Sequence, residues 1–107
     1  MNNIIDIKSE SEFEQEINCD IPVLVDFWAT WCNPCRLQGP IIQEISEELN
    51  GKIKVLKVDV DVNEELATTL GIMSIPTLII YKDGIEKEKT IGLTVKADLI
   101  EKVKKYL

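Results

Sequence analysis

The run PVLVDFW at residues 22–28 is apolar at every position except Asp26. A strand with one wet face alternates apolar and polar side chains, so a run apolar on both faces has to be covered on both sides. A chain built around such a strand needs layers above and below a sheet, which points to helices on both faces. Its 107 residues are enough for one hydrophobic core, and one domain over residues 1–107 is expected.

The flanking patterns extend this reading. Residues 3–7 (NIIDI) read as a short first strand. Residues 9–17 follow as a helix, with Ser9 and Glu12 at capping-box spacing and Phe13 and Ile17 on one face. A second helix is predicted over 34–50. Ile41, Ile45 and Leu49 share its apolar face, Pro40 kinks it, and Asn50-Gly51 stops it. Residues 52–60 form the next strand and 63–70 a short helix ended by Gly71. Residues 76–81 form a strand, and KDGI at 82–85 a hairpin turn with Gly84 where positive φ is needed. Residues 86–92 return as a more exposed strand near an edge. Residues 95–107 close as an amphipathic helix with Lys102, Lys104 and Lys105 at its negative end. The order βαβαβαββα describes an α/β fold with a central mixed β-sheet and helices on both faces. Sites in such sheets lie beyond the carboxyl ends of strands. WATWCNPC follows the central strand and opens a helix there.

Charge narrows the partners. A net charge of −7 opposes binding to a phosphate backbone, so no nucleic acid is expected, and it favours a soluble monomer. The start MNNIIDIKSESEFEQE has no basic segment followed by an apolar run, and no window is long and apolar enough to cross a bilayer. No membrane partner is expected, and the cytosol is the expected location. Cytosolic thiols are kept reduced, so a close cysteine pair there suggests a metal or catalysis more than a permanent staple.

Cys32 and Cys35 are separated only by Asn33 and Pro34. A zinc site needs two further ligands; the chain has no histidine and only Cys19 besides the pair. Haem attachment needs histidine after the second cysteine, where Arg36 stands. A structural bridge would close a tiny loop and so constrain the unfolded chain little. A redox couple has a mechanism. The first cysteine of a CxxC at a helix N-terminus sits beside unpaired N–H groups and the positive dipole end, both of which stabilise a thiolate. The second lies in the first turn, deeper and less exposed, within reach of a mixed disulfide. Pro34 suits that turn, where a missing N–H costs little.

VDFWATWCNPC, followed by KVDVD, GIMSIPT and KDG…IG, resembles the thioredoxin family along essentially the whole chain. The resemblance implies a protein-disulfide reductase with no bound cofactor. Cys32 would be the attacking nucleophile and Cys35 the resolving thiol. Asp26 would be a buried carboxylate handling protons for Cys35, with Lys57 nearby. Pro76 would be a cis-proline facing the thiols, with Ser74 and Ile75 before it. Trp28 and Trp31 would flank the site, Trp28 mostly in the core and Trp31 exposed, and Trp31, Asn33, Pro34 and Gly92 would complete the substrate surface. The implied partners are disulfide-containing proteins and a thioredoxin reductase that recharges the pair. The same fold could instead serve as a binding module using the apolar rim around Trp31, with the thiols incidental.

The chain departs from the family pattern in places. Asn33 stands where glycine is commonest. The histidine found beside the thiols of oxidising relatives is absent, which favours a reductant. Met73 and Ser74 would give the groove a soft rim without added charge. Cys19 precedes the central strand; six strand residues at about 3.3 Å each place it roughly 20 Å from Cys32, as a passive thiol.

Overall fold

The computed structural model describes residues 3–107. Among these, strands β1 (Ile4–Asp6), β2 (Val23–Trp28), β3 (Lys54–Asp59), β4 (Thr77–Lys82) and β5 (Ile85–Ile91) form one sheet in the order β1-β3-β2-β4-β5. The helices are α1 (Glu10–Ile17), α2 (Asn33–Glu48), α3 (Glu64–Thr69) and α4 (Lys96–Lys104). β1, β3 and β2 run parallel; β4 is antiparallel to β2, and β5 to β4. This is the expected mixed sheet, with β2 at its centre.

β2 is buried on both faces because its alternating side chains enter separate cores. Val23, Val25 and Phe27 pack with Phe13 of α1 and Leu66 of α3. Leu24 faces the opposite side, against Ile42 and Ile45 of α2 and Leu99 and Val103 of α4. Phe27 is fully buried; truncating such a phenylalanine to alanine costs about 4 kcal/mol through lost transfer energy and the cavity left behind.

Local signals account for the element ends, with small shifts. Ser9 caps α1 by accepting the Glu12 N–H at 3.2 Å. The returning Glu12 carboxylate accepts from Lys8 N–H at 2.6 Å, one residue earlier than a capping box places it. α2 runs through Pro40 without ending. Its buried stripe centres on Ile42 and Ile45, with Ile41 and Leu49 only partly covered. In the β4–β5 turn both Asp83 (φ 56°) and Gly84 (φ 77°) are left-handed, which suits a two-residue hairpin. That turn docks on the α1–β2 connection, with Asp83 N–H donating to the Cys19 carbonyl and Gly84 N–H to that of Ile17. β5 is the exposed edge strand, as expected. α4 ends at Lys104, and the following turn is pinned by the Lys82 ammonium donating to the Tyr106 carbonyl at 2.7 Å.

The registers converge on one end of the sheet. Trp28 ends β2 beside Asp59 at the end of β3, and Phe27 lies opposite Thr77 at the start of β4. The segments leaving β2 and entering β4 therefore meet above the central strand.

Candidate functional site

Cys32 is the N-cap of α2, with extended backbone at φ −93° and ψ 111°. It is joined to Cys35 as a disulfide, Cα to Cα 5.2 Å. The Cys35 N–H donates to the Cys32 sulfur at 3.2 Å. First-turn N–H groups lack partners inside the helix, and here one is aimed at a sulfur. That hydrogen bond and the helix dipole favour the Cys32 thiolate once the pair is reduced. The expected difference in exposure is absent: Cys32 is 4 % and Cys35 5 % exposed. The turn presses both sulfurs against the same surroundings, Ala29 with Trp28, Val60 and Ile75. What separates the two cysteines is hydrogen bonding, not depth.

The β4 entry faces this disulfide. The Ile75–Pro76 peptide bond is cis. The Ile75 carbonyl oxygen lies 3.8 Å from the Cys32 sulfur, where it can accept from a reduced thiol. Thr77 Oγ1 donates to the Ser74 carbonyl at 2.6 Å, holding the approach to Pro76. The Gly92 N–H, on a residue with φ 93°, donates to the Pro76 carbonyl at 2.8 Å and brings the loop after β5 alongside. Ser74, Asn33 and Pro34 are exposed. Met73 is 95 % and Trp31 65 % exposed. The Trp31 indole N–H is steadied by Asp61 Oδ2 at 2.9 Å. The accessible residues that flank the cysteines and Pro76 in sequence are thus of mixed polarity, with Trp31 and Met73 the large apolar ones.

Asp26 lies below, on the α2 side of β2, and is fully buried. Neither carboxylate oxygen has a hydrogen-bond partner. Burial pushes its pKa up to about 6, and the nearby charge of Lys57 partly opposes the rise. Lys57 is the register partner of Asp26 on β3, and its ammonium sits 4.5 Å from the Trp28 ring centroid. Lys57, Trp28, Cys35 and Arg36 line an open cleft of about 380 Å³. The structure therefore brings Cys32, Cys35, Ile75, Pro76 and Gly92 together around the sulfurs, with Lys57 and Asp26 on the α2 side.

Of the remaining residues, Cys19 falls away from the site and Trp28 flanks it. Cys19 lies before β2, half-buried, its thiol directed at the Ile21 carbonyl at 3.4 Å. Trp28 is half-buried, less enclosed than a core side chain, and its buried indole N–H has no partner. Two residues absent from the sequence reading belong to the site's frame. Gln38 is fully buried on α2, and its amide exchanges two hydrogen bonds with the backbone of Thr94. The signal was available: Gln38 falls in helical register with Ile42 and Ile45, and a glutamine on an apolar stripe needs partners.

The chain matches the family model described as Thioredoxin over residues 4–105. It is 48 % identical over 107 residues to a thioredoxin of Rickettsia felis, covering 99 % of this chain and 98 % of that one. It is 46 % identical over 100 residues to thioredoxin 1 of a Nostoc species, covering 92 % of this chain and 94 % of that protein. Among solved structures, a Malassezia sympodialis thioredoxin superposes with a TM-score of 0.90 at 32 % identity, over 99 % of this chain and 92 % of that one.

Proposed function

The chain belongs to the thioredoxin family and is a dithiol–disulfide oxidoreductase, and on that premise we propose that it works as a reductant of protein disulfides. The observation that carries the proposal is the Cys35 N–H aimed at the Cys32 sulfur at 3.2 Å. That arrangement prepares Cys32 as the nucleophile.

The Cys32 thiolate attacks one sulfur of a target disulfide; that S–S bond breaks, and the other target sulfur leaves as a thiolate that takes up a proton. Cys35 then attacks the Cys32 sulfur of the mixed disulfide, forming Cys32–Cys35 and releasing the second target sulfur. Two electrons pass from the pair to the target. Asp26, with its pKa near 6, takes the proton that Cys35 loses, and the charge of Lys57 keeps that carboxylate ionisable near neutrality. An extended target segment lies along Ser74, Ile75 and Pro76, with Trp31, Asn33, Pro34 and Gly92 as the rest of the contact surface. Thioredoxin reductase restores the dithiol. A reducing couple fits the cytosol, and the charge of −7 fits a monomer.

Dithiothreitol-driven reduction of insulin tests the function. The protein should accelerate insulin precipitation catalytically, and Cys32→Ser should abolish the effect. Equal rates with and without the protein would refute the reductase reading.

A further inference from the structure

We propose that Gln38 is a positioning residue that clasps the substrate-docking loop to the helix bearing the thiols; this rests on the reading of Ile75, Pro76 and Gly92 as the docking groove. The groove's far wall, the segment Gly92–Thr94 between β5 and α4, belongs to neither the sheet ladder nor a helix. Gln38 stands three residues after Cys35, fully buried. Its Nε2 donates to the Thr94 carbonyl at 3.0 Å, and its Oε1 accepts from the Thr94 N–H at 2.8 Å. A planar amide paired with both polar groups of one backbone residue fixes that residue's orientation as well as its distance.

The clasp closes a ring around the disulfide. Thr94 Oγ1 donates to the Gly92 carbonyl at 3.1 Å, and the Gly92 N–H donates to the Pro76 carbonyl at 2.8 Å. The Ile75 carbonyl then lies 3.8 Å from the Cys32 sulfur. From Cys35 through one turn of α2, Gln38, Thr94, Gly92 and Pro76, the path returns to Cys32. Neither Gln38 bond touches a sulfur. Gln38 therefore acts on where a protein substrate docks and leaves the electronic state of the thiols alone. Without it, Thr94 would have a buried N–H and carbonyl to satisfy, and the loop would move to satisfy them.

The test uses Gln38→Met, which keeps length and bulk and removes both bonds. KM for insulin should rise about three- to tenfold, the effect of losing one or two modest hydrogen bonds, with kcat retained. The redox potential should stay at the wild-type value, and hydrogen exchange at the Thr94 amide should accelerate. Gln38→Glu keeps an acceptor for the Thr94 N–H and should give a smaller rise in KM; it is read alone if Gln38→Met does not fold. Leu93→Asp, on the same loop but outside the clasp, tests the groove. If Leu93→Asp raises KM while both Gln38 variants bind insulin normally, the clasp is overturned and the groove stands. If neither position affects KM, the groove reading fails and the clasp with it. A shifted potential or a fall in kcat at unchanged KM in Gln38→Met would place Gln38 among the supports of the thiols and overturn the proposal.

Discussion

Asp26 and Lys57 are register partners on adjacent parallel strands, yet the carboxylate has no hydrogen-bond partner and the ammonium sits over the Trp28 ring. The lysine's charge lowers the Asp26 pKa, but burial raises it further, to about 6 from 3.8. The folded protein therefore binds this proton more tightly than the unfolded chain does between those values. Stability from this group is highest below pH 4, falls as pH rises through 6, and then levels. The difference of about 2 pKa units corresponds to about 3 kcal/mol.

Asp26→Asn removes that dependence. Near pH 7 it should raise stability by up to about 3 kcal/mol, because an amide avoids most of the cost of burying a charge. It should also slow insulin reduction, since the proton acceptor for Cys35 is gone. Denaturant melts at pH 4 and 7, with turnover measured on the same samples, check both effects. Unchanged activity would make Asp26 a structural residue only.

Tyr81→Phe should stabilise the fold by about 1 kcal/mol, because it deletes a buried hydroxyl that has no partner. The edge-on packing of this ring against Phe13, centroids 5.6 Å apart, survives the change. A urea midpoint that falls would mean that the hydroxyl is satisfied in solution.

Much of this was legible beforehand because it was written in local patterns. The two-faced apolar run of β2, Asp83-Gly84 at a hairpin and a CxxC opening a helix each depend on neighbours in sequence. The rest was set by packing. Ile42 rather than Ile41 centres the α2 stripe because the sheet and α4 choose the facing side. Glu12 reaches Lys8 instead of Ser9 because the side chain takes the N–H the bend presents. The equal burial of Cys32 and Cys35 comes from Val60 and Ile75, segments distant in sequence. The Gln38–Thr94 pair spans 56 positions, which no local spacing announces.

Cys19→Ser should reduce insulin at the wild-type rate. The thiol is half-buried before β2 and directed at the Ile21 carbonyl, with no helix N-terminal N–H aimed at it of the kind that faces the Cys32 sulfur. A large loss of activity in a folded variant would give Cys19 a role.

The Cys32–Cys35 couple should equilibrate with glutathione as a strong reductant. Thioredoxins stand near −270 mV, a magnitude taken from the family, and this chain should lie within a few tens of millivolts of it because no histidine flanks Pro34. A potential near that of oxidising relatives would reverse the assigned direction.

Substrate capture tests the division of labour between the thiols most directly. Cys35→Ser leaves the backbone N–H that faces Cys32 in place, so the Cys32 thiolate can still attack. A hydroxyl cannot resolve the product, and the mixed disulfide should persist. Cys32→Ser lacks the favoured sulfur and should capture far less, although the two cysteines are almost equally buried. Oxidised insulin incubated with each variant and run on non-reducing gels gives the answer. A reducible adduct predominantly with Cys35→Ser is the expected result; equal adducts with both variants, or none with either, would contradict Cys32 as the nucleophile.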